Sequence, residues 1–331
     1  MQLPKIYKDN DADLNLLRSK KIGIVGYGNQ GSTQALNLRD NGFDVKIGLR
    51  EGSCNKQLAE GEGFECYSIE KLVQLSDFIS LLIPDQVMGQ VYAEKIAPNL
   101  KEGHSLLFSH GYNIQYNLIE PPEFVNVIMA APSGAGSELR KQFKIGKGIP
   151  GLIAVHQDYS GNSFELTLSY CKAIGLTRMG VFKSTFKEET ETDLFGEQII
   201  LTGGIPKLIQ SAYKVLLEAN YNPITAWFVC YYELKTIVDM FHSKGFEFMN
   251  NAISDTAEYG GITRGKRIIN STVEAEMRIV LEEIQSGKFH REWMAESESG
   301  YAKLNEMRKE ESKLHIEEVG QRLLKEIIQV E

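Results

Sequence analysis

The sequence predicts an α/β domain with a parallel β-sheet over residues 1–183, followed by an all-helical domain over residues 184–331. Three observations support this prediction. A glycine-rich turn joins an apolar strand to a helix near the amino terminus, and further strands alternate with helices over the first half of the chain. Long helical patterns without strand signals then follow, at 205–218, 226–243, 271–286 and 316–330. A chain of 331 residues is long enough for two domains that each have a core.

The glycine-rich turn is Gly26-Tyr27-Gly28-Asn29-Gln30-Gly31, directly after a short apolar strand at 20–25. In this G-x-G-x-x-G spacing, Gly26 allows a tight turn, Gly28 admits a pyrophosphate, and Gly31 lets the following helix pack on its strand. The amino terminus of that helix then faces the phosphates. A second strand at 44–49 follows. We therefore predict a Rossmann-like, dinucleotide-binding domain, with Tyr27 and Gln30 also in the cofactor site.

The loop after the second strand selects between the two nicotinamide cofactors. Enzymes that use NAD tend to place an acidic residue here for the ribose 2′-hydroxyl, and NADP enzymes place an arginine nearby. Arg50 and Ser53 are suited to a 2′-phosphate, whereas Glu51 is suited to the ribose of NAD. We expect NADPH to be the cofactor, with NADH as the alternative. A plain polar loop would also account for Arg50 and Ser53.

Three more apolar strands place polar residues at one edge of the predicted sheet. They are expected at 78–83, 105–108 and 125–130, and they end in Pro84-Asp85, Ser109-His110-Gly111 and Ala131-Pro132-Ser133-Gly134. Ligands of open parallel sheets bind beyond the carboxyl ends of the strands. We therefore predict a catalytic role for His110 and cofactor contacts for Asp85 and Gly136. A structural or surface role is the alternative for this histidine.

An acidic segment just past the middle of the chain predicts a metal site. Five carboxylates lie between Glu188 and Glu197, ahead of the apolar run Ile199-Ile200-Leu201. If the segment opens a helix, Asp193 and Glu197 lie four residues apart on one face. Two such carboxylates suit a hard cation such as Mg²⁺. The alternative is a solvated first turn whose acids complement the helix dipole.

Composition and charge exclude several classes of protein. The net charge of -8 and the isoelectric point near 5.5 argue against a nucleic-acid-binding surface. No apolar run reaches transmembrane length, and the first residues do not resemble a signal peptide. The cysteines form no CxxC pair or zinc spacing, so we expect reduced thiols. The expectation is a cytoplasmic protein that binds neither nucleic acid nor membrane.

Several segments along the chain together form one pattern. They are 25–31, 109–112, 148–150, 157–161, 190–198, Glu233-Leu234-Lys235 and 253–260, and segment 190–198 reads Thr190-Glu191-Thr192-Asp193-Leu194-Phe195-Gly196-Glu197-Gln198. This pattern resembles the short-form (class I) ketol-acid reductoisomerases, also called acetohydroxy acid isomeroreductases. The resemblance covers nearly the whole chain.

The resemblance implies an enzyme that binds NADPH and two Mg²⁺ ions, shifts an alkyl group in a 2-acetohydroxy acid and reduces the resulting 2-keto acid. By position, Asp193 resembles the carboxylate that bridges the metals, and Glu197 resembles a second ligand of one of them. Glu233 resembles a ligand given by the partner subunit, and Ser254 resembles the residue that holds the substrate carboxylate. His110 resembles the histidine of the catalytic pocket. The resemblance also implies a knotted helical domain like that of 6-phosphogluconate dehydrogenase, and a homodimer that shares its active sites.

Two departures from the family pattern lie in the predicted active site. Ser133 stands where the family has a lysine, and Val229 stands where it has a second partner-subunit glutamate. Valine cannot ligate a metal, and loss of the lysine removes a positive charge beside the reacting oxygens. Ser32, Ile83 and Tyr232 differ from the usual residues as well.

These departures affect the two half-reactions unequally. Alkyl migration needs two metals to polarise adjacent oxygens, whereas hydride transfer needs a nicotinamide, an oriented carbonyl and one Lewis acid or proton donor. We therefore expect an NADPH- and Mg²⁺-dependent reductase of a 2-keto acid in which isomerisation is weakened or lost. The alternatives are a full ketol-acid reductoisomerase and a non-catalytic protein that keeps the fold and the cofactor.

Overall fold

A computed structural model describes residues 4–328. The chain divides into two compact units, Met1–Thr192 and Asp193–Glu331, and the division falls within the helix Phe186–Gly196. The domain boundary expected between residues 183 and 184 stays a prediction. The last strand ends at Lys183, whereas the compact units divide after Thr192. Among residues 4–328, no helix combines the length and the apolar character that a membrane span requires.

The first unit contains a nine-stranded sheet among its described residues, in the order β1-β9-β8-β7-β6-β5-β2-β3-β4. The strands are β1 Ile6–Tyr7, β2 Ile22–Val25, β3 Val45–Gly48, β4 Glu65–Tyr67, β5 Phe78–Leu81, β6 Ser105–Phe108, β7 Asn126–Pro132, β8 Gly151–Gln157 and β9 Val181–Lys183.

Most neighbouring strands of this sheet are parallel, as the sequence predicts. Strands β4, β3, β2, β5, β6 and β7 form one continuous parallel block, and β8 pairs in parallel with β9. The β7–β8 and β1–β9 pairs are antiparallel. Strands β1, β4, β8 and β9 were not predicted, and three of them have only two or three residues.

Both faces of the sheet are buried, which is why its central strands are mostly apolar. Successive side chains of a strand point to opposite faces. Accordingly, Ile24 and Phe78 belong to one hydrophobic cluster, and their neighbours Val25 and Ile79 belong to another on the opposite face. Burial on both faces is typical of parallel sheets covered by helices, and it removes the alternation of apolar and polar residues.

Helices of the first unit connect the strands and cover the sheet. They are Asn15–Arg18, Asn29–Asp40, Lys56–Gly61, Ile69–Leu75, Asp85–Val91, Tyr112–Gln115, Gly136–Lys144 and Ser163–Ile174, with a π-helical turn at Tyr92–Ile96 and 3₁₀ turns at Asp9–Asp11, Ala97–Asn99 and Leu176–Arg178.

The second unit is helical throughout its described residues, which confirms the predicted fold class. After Phe186–Gly196, its α-helices are Gly204–Glu218, Pro223–Trp227, Leu234–Ala252, Asp255–Ile268, Ser271–Gln285, Lys288–Glu298, Ala302–Glu311 and His315–Leu323, with π-helical segments at Glu197–Leu201, Phe228–Tyr232 and Leu324–Ile328.

Two of the long helices expected from the sequence differ in the structure. The helix expected at 226–243 is divided by the π-helical segment Phe228–Tyr232, and a further helix then extends to Ala252 across a kink at Gly245, where φ is +87°. Glycine tolerates a positive φ without a steric penalty, so the chain kinks there. The helix expected at 316–330 begins at His315, and its last two residues lie outside the described part of the chain.

Candidate active site

The glycine-rich turn has the close contacts that its spacing requires. Gly26 has a φ of +100°, and a Cβ placed there would lie 2.4 Å from the carbonyl oxygen of Leu82. A Cβ on Gly31 would lie 2.5 Å from the carbonyl oxygen of Gly26. By contrast, a Cβ on Gly28 would meet nothing within 4 Å, so the backbone is accessible to a ligand there. The helix Asn29–Asp40 starts at this point without a side-chain cap, which leaves its first N–H groups for an anion.

Tyr27, within the turn, directs its side chain into the protein. Its ring is 2 % exposed, and its hydroxyl donates a hydrogen bond to Glu62. Burial and the neighbouring carboxylate both raise the pKa of this phenol. Any contribution of Tyr27 to cofactor binding therefore comes from its backbone.

The loop after β7 packs directly on the first turn of the helix that follows the glycine turn. The side-chain amide of Gln30 donates to the carbonyl oxygen of Gly134 over 3.2 Å. A Cβ on Gly136 would lie 2.3 Å from the carbonyl oxygen of Asn29, so only glycine permits this approach. The backbone N–H of Ser137 donates to the Asn29 side chain over 3.1 Å. The structure thus brings Gln30 and Gly136 together, as a shared cofactor site requires.

Arg50 and Ser53 lie in a tight turn beyond β3. The backbone N–H of Ser53 donates to the carbonyl oxygen of Arg50 over 3.2 Å, and Gly52 has a φ of +69°. The side chains of Arg50 and Glu51 are both exposed. Because β3 is parallel to β2, this turn and the glycine turn lie at the same edge of the sheet.

Asp85 lies beyond β5 as the first residue of the helix Asp85–Val91. Its carboxylate accepts a hydrogen bond from the Asn113 side chain over 3.2 Å. Asn113 belongs to the helix Tyr112–Gln115, which follows β6. Asp85 therefore links the loops after β5 and β6.

His110, directly beyond β6, is held by a buried carboxylate. Its Nδ1 lies 2.9 Å from one oxygen of Glu189, and the other oxygen accepts a hydrogen bond from the backbone N–H of Gly111 over 2.7 Å. The side chain of Glu189 is 5 % exposed, compared with 21 % for His110. A carboxylate only accepts hydrogen bonds, so Nδ1 is the donor in this contact. The contact therefore fixes the ring orientation and, in the neutral imidazole, the tautomer.

Glu189 was not assigned a role from the sequence, although it lies in the acidic segment. The helix Phe186–Gly196 comes close to the His110 loop because residue 111 is a glycine. A Cβ on Gly111 would lie 2.5 Å from the Thr190 hydroxyl and 2.6 Å from the carbonyl oxygen of Phe186. The contact between Glu189 and His110 joins segments that are 79 residues apart, and spacing along the sequence does not reveal it.

Asp193 and Glu197 lie four residues apart at the end of the same acidic segment, and both are exposed. Asp193 is in the helix Phe186–Gly196, and Glu197 opens the π-helical segment Glu197–Leu201. Glu189, one helical turn before Asp193, is buried instead. Two carboxylates in contact with water are a suitable donor set for Mg²⁺, which prefers oxygen ligands and retains bound water.

Glu233 and Ser254 are exposed at the amino-terminal ends of two helices in the second unit. Glu233 precedes the helix Leu234–Ala252. Ser254 caps the helix Asp255–Ile268, and its hydroxyl oxygen accepts a hydrogen bond from the backbone N–H of Ala257 over 3.3 Å. Each position is thus open to a ligand or to a second chain.

The two main departures from the family pattern also lie at exposed positions. Ser133 is exposed beyond β7, and its backbone N–H donates to the carbonyl oxygen of Pro150 over 2.9 Å. Val229 is 49 % exposed within the π-helical segment Phe228–Tyr232. An exposed apolar valine leaves that point of the helix without a metal-ligating atom.

Two of the smaller departures contact the glycine turn. The Ser32 hydroxyl donates to the carbonyl oxygen of Gly28 over 2.7 Å. Ile83 lies so close to Gly26 that a Cβ placed there would be 2.7 Å from its Cγ2. Both side chains therefore alter the surroundings of the phosphate loop, whereas Tyr232 is in the helical unit.

An accessible glycine turn at one edge of a mostly parallel sheet, next to a buried carboxylate–histidine pair, is typical of nucleotide-dependent oxidoreductases. Comparison with known families identifies the particular family within this class. The profile for "Acetohydroxy acid isomeroreductase, NADPH-binding domain" matches residues 16–180, and that for "Ketol-acid reductoisomerase, C-terminal domain" matches residues 186–328. The chain belongs to the ketol-acid reductoisomerase family.

Individual relatives agree with this assignment. The chain is 51 % identical over 323 residues to a ketol-acid reductoisomerase (NADP(+)) of Methanopyrus kandleri, covering 98 % of both chains. A ketol-acid reductoisomerase (NADP(+)) of Clostridioides difficile is 48 % identical, covering 97 % of this chain and 98 % of the relative. The solved structure of an NADH-preferring ketol-acid reductoisomerase from an uncultured archean is 40 % identical, with a TM-score of 0.94, covering 98 % of this chain and 99 % of that one.

Proposed function

We propose that this chain is an NADPH- and Mg²⁺-dependent oxidoreductase that reduces a 2-keto acid and in which isomerisation is weakened or lost. The observation that carries the proposal is the combination of Ser133 and Val229 with the retained glycine turn, His110 and acidic residues of the family pattern. Asp193, Glu197 and Glu233 keep their carboxylates, so at least one cation retains oxygen ligands.

For the cofactor, Gly26, Gly28 and Gly31 would hold the pyrophosphate at the helix amino terminus. NADPH, when bound, supplies the hydride. Arg50 and Ser53 would bind its 2′-phosphate by charge-assisted hydrogen bonds. NADPH is supported by the names of the Methanopyrus and Clostridioides relatives. Glu51 and the similarity to an NADH-preferring enzyme keep NADH as the alternative.

For the metal, Asp193 and Glu197 would be the ligands from this chain, and Glu233 would be the ligand from the partner subunit. Mg²⁺, when bound, polarises substrate oxygens. Val229 removes one carboxylate from this set, so one of the two cations of the family would be bound more weakly. Ser254 would hold the substrate carboxylate through its hydroxyl proton.

Ser133 also weakens isomerisation, but for a reason other than metal binding. A lysine at this position places a positive charge close to oxygen atoms on which negative charge develops. Serine is shorter and neutral, so that stabilisation is lost. His110, held by Glu189, keeps a proton-transfer group that reduction can use.

We further propose a homodimer in which each active site takes residues from both subunits. The second unit exposes large apolar side chains, among them Val215 (61 %), Tyr259 (68 %) and Phe246 (70 %). Apolar groups exposed in such numbers are typical of an interface between protein chains. Sedimentation of the purified protein tests this, and a monomer at micromolar concentration would contradict it. The proposal includes a cytoplasmic location, a small-molecule substrate and no membrane partner, and the net charge of -8 argues against nucleic acid as a partner.

A full ketol-acid reductoisomerase, which converts 2-acetohydroxy acids to 2,3-dihydroxy acids in branched-chain amino-acid synthesis, is the second candidate. The 51 % identity to the Methanopyrus kandleri enzyme favours it. In that case water would replace the missing glutamate, and another group would replace the lysine.

A comparison of two substrates separates the candidates. Purified protein with NADPH and Mg²⁺ is assayed with 2-acetolactate, which must be isomerised, and with 3-hydroxy-3-methyl-2-ketobutyrate, which only needs reduction. We expect turnover of the second substrate to exceed that of the first by a factor of about 10². Equal turnover of both substrates would favour the full reductoisomerase.

A further inference from the structure

A fully buried amide lies beneath the proposed cofactor site. Gln34 is on the helix Asn29–Asp40 and is 0 % exposed. Its Nε2 donates to the hydroxyl of Ser109 over 2.9 Å and to Oε1 of Gln30 over 3.0 Å. Its Oε1 accepts a hydrogen bond from the Tyr170 hydroxyl over 2.7 Å. Both polar atoms of the side chain are therefore engaged.

The partners of Gln34 belong to loops that carry proposed catalytic residues. Ser109 directly precedes His110 beyond β6. Gln30, in the glycine turn, passes the connection on, because its own Nε2 donates to the carbonyl oxygen of Gly134 over 3.2 Å. Gly134 directly follows Ser133 beyond β7. The Gln34 amide thus connects the three loops that follow β2, β6 and β7.

Tyr170 sets the orientation of this amide through its hydrogen bond to Gln34 Oε1. That residue is fully buried on the helix Ser163–Ile174, and its ring stacks on Phe78 at 5.2 Å between centroids. Ser80, on β5, donates to the Tyr170 hydroxyl over 3.3 Å. The Tyr170 proton therefore points to Gln34 Oε1, which turns the NH₂ group of Gln34 towards the loops.

We propose that Gln34 is a positioning residue, which sets His110 and the Ser133 loop relative to the glycine turn for hydride transfer. Buried polar networks that are fully satisfied hold a unique arrangement of their members. A displacement of about 1 Å in reacting groups can lower turnover by a factor of about 10². The expected effect of Gln34 on turnover rests on the proposed reductase function. Its effect on the order of the loops does not depend on that function.

The test compares two buried polar residues with near-isosteric apolar replacements. Gln34→Met removes the network beneath the site. Asn126→Leu is the matched control, because Asn126 is 1 % exposed and its amide is equally engaged, with Ser105, Ser160 and Ser163. Asn126 opens β7 at the end opposite to the Ser133 loop. Ser109→Ala is a milder variant, which removes only the bond to the His110 loop.

Four quantities are measured on each full-length variant: the melting temperature, hydrogen exchange of the peptide that contains Ser109 to Gly111, the dissociation constant of NADPH by calorimetry, and kcat for 3-hydroxy-3-methyl-2-ketobutyrate. For Gln34→Met we expect faster exchange in that peptide and a kcat lowered by about tenfold or more, with an NADPH dissociation constant changed by less than about threefold. Asn126→Leu should lower the melting temperature and leave both loop exchange and kcat within about twofold of the parent.

The proposal is overturned if Gln34→Met is folded and leaves loop exchange and kcat unchanged, or if Asn126→Leu alters them as much. If Gln34→Met does not fold, the same measurements are made on Ser109→Ala, and unchanged loop exchange and kcat in that variant overturn the proposal. If the parent protein does not reduce the keto acid, the proposed function fails, and hydrogen exchange of the peptide that contains Ser109 to Gly111 still decides the role of Gln34.

Discussion

The carboxylate of Glu189 holds two consecutive groups of the His110 loop, with Nδ1 of the imidazole at 2.9 Å and the backbone N–H of Gly111 at 2.7 Å. One buried acid thus fixes both the ring and the backbone that carries it. Nδ1 is committed to Glu189, so proton transfer to a substrate would use Nε2.

Replacement of Glu189 by glutamine should lower turnover without unfolding the protein. The amide keeps the volume of the carboxylate, but one of its two terminal groups is a donor and cannot accept from Gly111 or His110. We expect kcat for the keto acid to fall by about tenfold to a hundredfold, because the imidazole loses its fixed orientation. Steady-state kinetics with NADPH and Mg²⁺ measure this.

The control is Glu188→Gln on the same helix. Glu188 is exposed and accepts a hydrogen bond from the Ser184 hydroxyl, away from His110. The kcat of Glu188→Gln should therefore stay within about twofold of the parent value. An equal loss in both variants would mean that the negative charge of the helix, and not the contact with His110, is responsible.

Gly111→Ala should destabilise the first unit. The added methyl group would lie 2.5 Å from the Thr190 hydroxyl and 2.6 Å from a backbone oxygen, which cannot move aside cheaply. Overpacking of this kind costs about 1–3 kcal/mol. Gly61→Ala is the control, because a Cβ there meets nothing within 4 Å. Denaturant unfolding should show a lower midpoint for Gly111→Ala alone.

His104 makes the stability of the first unit depend on pH. Burial, and then the charge of Lys101, lower the pKa of this imidazole from its ordinary value of 6.5. The unfolded chain therefore binds more protons than the folded one just below pH 6.5, so stability is present above that pH and is lost as pH falls. His104→Phe should flatten this acidic dependence in urea unfolding. If the unfolding free energy of His104→Phe depends on pH as strongly as that of the parent, other groups cause the dependence.

The sequence predicts the central strands of the sheet and the glycine turn because their signals are local. A strand–turn–helix needs three glycines at a fixed spacing, and central parallel strands are apolar on both faces. The kink at Gly245 and the π-helical segment Phe228–Tyr232 change the backbone inside stretches with a helical pattern. The 3.6-residue periodicity that predicts a helix does not reveal such changes.

The sequence indicates the position of a candidate site residue in the fold only where that residue follows the end of a strand. His110 and Gly136 follow strand ends, so the fold alone places them at one edge of the sheet. Glu189 and Gln34 act through contacts that span 79 and 75 residues, to His110 and Ser109. Such contacts exist only in the folded chain.

The exposed carboxylate of Asp193 should be needed for the response to Mg²⁺. Asp193→Asn keeps the shape of the side chain and removes its charge, so cation affinity should fall. We expect loss of Mg²⁺-dependent activity by a factor of about 10² or more, with NADPH affinity unchanged within about threefold. Titration with Mg²⁺ after treatment with a chelator measures the first quantity. A variant with a normal Mg²⁺ response would contradict the proposed metal site.

Restoration of the two residues of the family pattern should recover isomerisation. Ser133→Lys returns a positive charge beside the reacting oxygens, and Val229→Glu returns a ligand to the second cation. The double variant should turn over 2-acetolactate about tenfold faster or more, because one such electrostatic contact is worth a factor of about 10² to 10³ in rate.

Ser133→Met and Val229→Gln are the matched controls, since they restore side-chain length without charge. They should leave acetolactate turnover within about twofold of the parent, and none of the variants should accelerate the pre-isomerised keto acid to the same extent. A parent protein that already isomerises acetolactate as fast as it reduces the keto acid would leave nothing to restore. In that case water must already replace the metal ligand that Val229 lacks, and a neighbouring group must replace the positive charge that Ser133 lacks.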